Sequence, residues 1–209
     1  MGIISFLKRL DSIATSETFS KKNYNDYNFY NNSSESKEEN TLENRQNMYD
    51  ELYKLEQQYS EILQKHYELS EKIGFQYTIA INQNNIINKE TEKCIDLCND
   101  DIALASTLSN YYKQEATIRH QEINMAIYSS FKTLAMIYEK KEDYLSSIFT
   151  CIQSIKLGFL RDGTTGGMQG RLAKLIKKYN SKHNSDIAFD YEKNVLYDNR
   201  TGEVIENNK

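Results

Sequence analysis

The residues of this chain best suited to chemistry fall in three places. Cys94 and Cys98 stand four apart, on one face if the segment is helical. Two thiolates at that spacing could start a zinc site, but such a site needs two more ligands, and His120 is the only third donor in view. The three histidines have no Ser, Cys or Asp partner at a recognisable spacing, so no nucleophile–base–orienter set can be read along the chain. Third, Gly163-Thr-Thr-Gly-Gly-Met-Gln-Gly170 concentrates glycine just before the basic run Arg171–Lys178. Glycines ahead of a helix free N–H groups to converge on an anion, and the helix dipole adds to that field. Gly166, Gly167, Gly170, Arg171, Lys174 and Lys178 are therefore the candidate anion-binding residues. The phosphate-loop spacing is absent and no strand precedes the loop, so a connector that turns the last helix is the competing reading.

These sites need elements to position them. The 209-residue chain has no Pro and no Trp, and sixteen of its residues are Tyr. Without Pro, long helices meet no ring clash or missing donor. Net charge is −4, unevenly spread. Glu35–Lys72 holds ten acids and five bases, a balance of −5; Arg161–His183 holds six bases and one acid, a balance of +5. The two ends could neutralise each other in the fold, or the basic end could take an anionic partner. Three cysteines, an odd number, with no secretory signal, point to reduced thiols and a cytoplasmic setting. No apolar run reaches the length of a membrane span. The Asn-, Lys-, Ile- and Tyr-rich composition suggests a bacterial, A+T-rich coding sequence.

Four regions follow. Residues 1–14 form an amphipathic helix with Ile3, Phe6, Leu7, Leu10 and Ile13 on one face, suited to docking on the body or to peripheral membrane contact. Residues 15–40 lack period and apolar content and read as a flexible linker. Residues 41–183 form a helical domain, and residues 184–209 a small β-hairpin or meander. Within the helical region Met48, Leu52, Leu55, Tyr59, Ile62, His66, Leu69 and Ile73 step by four and three, a narrow seam. Its partner is either an antiparallel helix of the same chain or a second copy, giving a homodimer or a self-assembling coiled coil through 48–73. Thr41 to Asn44 is the expected helix start, Gly74 a weak point or end, and Asn99–Asp100 a break. His66 lies on the seam, as a polar core residue or a pH-sensitive one. In the C-terminal region Ile187, Phe189 and Tyr191 alternate, followed by Val195–Tyr197 and Glu203–Ile205, two or three short strands.

The most specific stretch is Tyr128–Leu160. Phe131, Leu134, Ala135 and Tyr138 share one face. Asp143 caps a second helix whose Tyr144, Ser147, Ile148, Cys151, Ser154 and Ile155 answer it. Ala135, Ser147 and Ser154 are small enough to let two antiparallel backbones approach closely. The pattern Leu134-Ala135-x-Ile137-Tyr138, then Asp143-Tyr144, then Ser154-Ile155-x-Leu157-Gly158 resembles the tetratricopeptide repeat. It differs in having Ser147 and Ser154 where Ala is commonest, Cys151 where an aromatic is common, and no closing Pro. No second copy lies 34 residues upstream, so a solenoid of degenerate repeats and a hairpin in another helical bundle both remain open.

The resemblance implies a non-enzymatic scaffold without a cofactor, binding a protein or peptide in a groove lined by Ser129, Lys132, Met136 and Glu139. The alternative from the basic end is a protein that binds phosphate, nucleic acid or acidic lipid through 163–178, with nucleic acid the least favoured because aromatic interleaving is scarce.

Overall fold

The structure, a computed structural model, describes residues 35–82, 88–123 and 125–206, with side chains from Glu43 onward. The expected helix 1–14 and most of the expected linker lie outside the described residues. The chain divides into two compact units, residues 1–43 and 44–209, and the packed core belongs to the second. The fold is mainly helical, with a small antiparallel sheet at the C-terminal end: α1 (Glu35–Ile81), α2 (Lys89–Ile102), α3 (Ala105–Ile118), α4 (Ser129–Lys140), α5 (Tyr144–Lys156), α6 (Gly167–His183), β1 (Ile187–Asp190), β2 (Val195–Asp198) and β3 (Val204–Ile205).

Three expected boundaries move. Helix α1 opens at Glu35, ahead of Thr41, so residues 35–40 are helical and not linker. It also passes through Gly74 to Ile81. A mid-helix glycine costs about 1 kcal/mol relative to alanine. Burial of Ile73 and Ala80 on either side, and a Thr78 Oγ1 hydrogen bond to the Gly74 carbonyl, offset that cost. The break expected at Asn99–Asp100 falls at Ala103–Leu104 instead. Both residues there keep near-helical angles, so α2 and α3 meet at a kink and not across a loop. The capping chemistry is right but its place is Asn88, whose Oδ1 accepts from the Thr91 amide at 2.8 Å.

The seam of α1 is filled from within the chain. Leu55 and Tyr59 pack with Tyr111, and Leu69 and Ile73 join the main core beside Cys94, Ile95 and Cys98. Gln114 donates to the Tyr59 hydroxyl at 2.9 Å, His66 meets Asp101, and Gln76 donates to the Glu90 carbonyl at 3.0 Å. Partner numbers fall as α1 numbers rise, so α1 runs antiparallel to α3 and then α2. Over Leu55–Ile73 the seam is thus occupied by α3 and α2 of the same chain, while Met48 and Leu52 join neither core cluster.

Helices α4 and α5 form the expected antiparallel hairpin. Asp143 caps α5, its Oδ1 accepting from the Ser146 amide at 3.2 Å, and Glu142 takes a left-handed turn position with φ 61°. Ala135 and Ser147 are fully buried at the crossing, where the Ser147 hydroxyl donates to the Ala135 carbonyl at 2.7 Å. Phe131, Ile137, Ile148 and Cys151 are also fully buried. Fully burying an apolar side chain of this size contributes about 1.5–3 kcal/mol. Helix α6 packs on α5, and α2 packs on α4.

The sheet has order β1-β2-β3, with Phe189 opposite Leu196 and Leu196 opposite Ile205. A sheet this small needs support. It gets it from Asn180 of α6, which donates to the Ile187 carbonyl and accepts from the Ile187 amide, both at 2.9 Å. Ile187, Phe189 and Leu196 are buried in the common core. No helix among the described residues is long and apolar enough to cross a membrane.

The hairpin crossing yields a test. Ser147→Ala loses one buried hydrogen bond, about 1 kcal/mol. Ser147→Leu must also push two backbones apart, a further 1–3 kcal/mol or so. Urea denaturation should rank wild type above Ala above Leu; a Leu variant as stable as the Ala variant contradicts the close crossing.

Candidate binding cleft

The basic segment becomes α6, and the loop before it is tied down from inside. Asp162 is buried, and its Oδ1 accepts from the Thr164 amide at 2.9 Å and the Thr164 hydroxyl at 2.6 Å. Its Oδ2 accepts from Arg171 Nε at 3.0 Å. Burial opposes ionisation of this carboxyl. The Thr164 and Arg171 hydrogen bonds outweigh burial and hold its pKa below the usual aspartate range. Gly167 is required for a steric reason. At φ 56° a Cβ would stand 2.3 Å from the Leu160 carbonyl oxygen, which accepts from the Met168 amide at 2.8 Å.

Part of the expected phosphate cradle is therefore used by the protein itself. The Gly167 amide donates to the Thr164 carbonyl and the Gly170 amide to the Gly166 carbonyl. Gly166 is the N-cap position of α6, and Gly170 lies within its first turn. The carboxylate that meets Arg171 is Asp162. Gly166 and Gly167 instead border a shallow hollow of 400 Å³ with Gly163, Thr164 and Gln169.

The larger cleft, 580 Å³, lies along α6 against the end of α4 and the start of α5. Arg171, Lys174, Lys177, Lys178 and Lys182 line it with Glu139, Asp162, Tyr144, Thr164, Leu175 and Ser181. Arg171 also reaches Glu139 at 3.8 Å, and Lys178 pairs with the same carboxylate. Lys182 pairs with Glu142, which lowers the glutamate pKa and raises that of the lysine, and it lies 5.4 Å from the Tyr144 ring centre. Lys174 and Lys177 are exposed and make no hydrogen bond or ion pair among the described residues.

The two sets of candidate residues thus meet in part. Glu139, expected to face a peptide, stands with Arg171, Lys174 and Lys178 of the anion set. It is already paired, so it is not an open ligand contact. Ser129, Lys132 and Met136 are half-buried on α4 and do not line the cleft. The Lys132 ammonium stands 3.7 Å from where a side chain on Gly163 would begin. Sequence reasoning missed Lys177, Lys182, Ser181, Tyr144 and Asp162. Asp162 did leave a signal: a single acid in a basic segment, two residues before a threonine, is the pattern of a side chain that folds a turn around itself.

A second polar group lies deep in the helical core. His66 Nδ1 is 2.8 Å from Asp101 Oδ1, and the Ser130 hydroxyl donates to Asp101 Oδ2. Tyr128 donates to the Asp101 carbonyl at 2.6 Å, with its ring centre 4.6 Å from that of His66. Burial pushes the Tyr128 phenol pKa up, so it remains a donor. A histidine oriented by an aspartate is half of a nucleophile-activating set. Here the serine bonds the aspartate and not the imidazole, and neither cleft includes these residues.

Two of the three buried thiols are kept protonated. Interaction with the Cys94 sulfur, together with burial, raises the Cys98 pKa strongly, whereas the same contact lowers the pKa of Cys94; burial pushes Cys151 up to about 12. A thiol kept protonated is neither nucleophile nor metal ligand. Among the described residues no three His, Cys, Asp or Glu side chains are grouped to hold a metal.

No protein-family model, curated protein or solved structure matches the chain significantly.

Asp162 sets a pH dependence. Its pKa is depressed in the folded state, so the stability it contributes is complete above the ordinary aspartate pKa, near 4, and lost as pH falls through the lower folded value. Unfolding free energy should drop below about pH 4, and Asp162→Asn should flatten that part of the profile. An unchanged slope in the variant removes Asp162 as its source.

Proposed function

We propose that this chain is a non-enzymatic interaction module that holds a peptide or protein partner in the cleft between α6 and the α4–α5 hairpin. One observation carries the reading. The 580 Å³ cleft is lined by five cations, and two of them, Lys174 and Lys177, have no acidic partner among the described residues. Unneutralised charge beside an open hollow is a surface prepared for a charged group from elsewhere.

Further observations bear on this reading. The small-residue hairpin with α6 packed on it follows the general design of tetratricopeptide-type modules, in which successive helices build a binding face. Ser129, Lys132 and Met136 stay partly exposed on α4, outside the cleft itself. The buried histidine–aspartate pair and the buried thiols line neither cleft. The reduced cysteines fit a cytoplasmic setting.

The test is capture from an extract of the native cell with the full chain and with Lys174→Glu/Lys177→Glu. Both lysines are exposed and have no ion-pair partner among the described residues, so the variant should keep its helical circular dichroism. The partner held by wild type should be lost from the variant. Identical capture by both moves the binding site away from this cleft.

A further inference from the structure

Resting on that reading of the cleft, we infer that its ligand is a carboxylate-rich peptide segment lying extended along α6. The chemistry of the lining narrows the choice. A phosphate or nucleic-acid site draws on arginine forks, free helix N-terminal amides and flat aromatic platforms. None is free here. Arg171 is committed to Asp162 and Glu139. The Gly167 and Met168 amides are bonded to the Thr164 and Leu160 carbonyls. The Tyr144 ring faces the Lys182 ammonium.

What remains is a row of lysine ammonium groups, and the fold already shows what they accept. Lys178 holds the carboxylate of Glu139 and Lys182 that of Glu142. These internal pairs mark one edge of the row, and Lys174 and Lys177 are the members left open.

Spacing points to an extended chain. Lys174, Lys178 and Lys182 recur every four residues, about 6 Å along the helix axis, with Lys178 and Lys182 shared between the ligand and the carboxylates of Glu139 and Glu142. Side chains on one face of an extended peptide recur every second residue, about 6.6 Å apart. Acids at alternate positions therefore stay close to the lysines over the length of the cleft. The chain's overall charge of −4 opposes a long polyanion, whose repulsion from the rest of the surface grows with its length. A short acidic segment feels mainly the local field, because salt screens charges beyond about 8 Å.

The test uses the full chain and a short fluorescein-labelled peptide in which glutamate alternates with serine. The controls are the same peptide with glutamine for glutamate, inorganic polyphosphate and a short single-stranded RNA. Fluorescence polarisation should show binding of the glutamate peptide alone, weakening as salt rises. Lys174→Glu/Lys177→Glu should weaken it by about tenfold or more.

Glu142→Gln, at an exposed position, frees Lys182 and should tighten binding two- to threefold, a gain that misfolding cannot mimic. Equal binding of the glutamate and glutamine peptides, stronger binding of polyphosphate or RNA, or indifference to the lysine reversals overturns the inference. If extract capture still depends on Lys174 and Lys177 while the glutamate peptide fails, the cleft stands and the acidic peptide is discarded. If capture is also indifferent, both are discarded.

Discussion

The arrangement of this protein depends on one buried carboxylate. Asp101 is fully buried on α2, and groups from two other parts of the core converge on it: His66 from α1, and Ser130 and Tyr128 at the start of α4. A carboxylate without partners in such a place would be intolerable, because the interior replaces water only through hydrogen bonds. Its partners are met only if α1, α2 and α4 take one register. Apolar contacts alone tolerate sliding, whereas a fully satisfied polar cluster has one solution. Tyr128 adds a further constraint, since the carbonyl it caps also accepts from Leu104 at the kink between α2 and α3.

The hairpin applies the same rule with neutral groups. Serine is usually a poorer choice than alanine at a close helix crossing, because its hydroxyl must be satisfied. Here Ser147 donates to Ala135, Ser154 to Phe159 and Ser109 to Leu157, each to a backbone carbonyl at 2.7–2.8 Å. The last two anchor the turn after α5. Helix packing thereby also aims the loop that carries Asp162, and so sets where Arg171 and the basic face of α6 point.

Much of this was legible along the chain. The hairpin could be read because small residues, an aspartate cap and apolar spacing all specify the same local geometry. The α1 seam could be read as a seam, and its partner could not, since antiparallel pairing with α2 and α3 is a long-range outcome. For the same reason His66 looked partnerless. Asp101 sits on the stripe Cys94, Cys98, Asp101, Ala105, an acid on a buried helix face, and that anomaly was visible. Its partner, 35 residues away, was not. The glycine loop stayed ambiguous between anion cradle and connector because spacing cannot tell whether freed amides will be used within the protein. The two-ended charge is likewise met locally. The basic helix finds Glu139, Glu142 and Asp162, and no ion pair of the described residues joins it to α1.

The long helix is attached in an unusual way. No other described helix packs its backbone closely along α1; bulky rings such as Tyr59, Tyr111, Tyr128 and His66 stand in the gap. By contrast, α4, α5 and α6 nest closely and are neighbours in sequence. The molecule therefore has two tiers of cohesion. A locally wound inner block can assemble early, and an outer splint docks late because closing its loops spans far more chain. In hydrogen exchange the splint's amides would be the first helical ones to open, while the inner block keeps its shape.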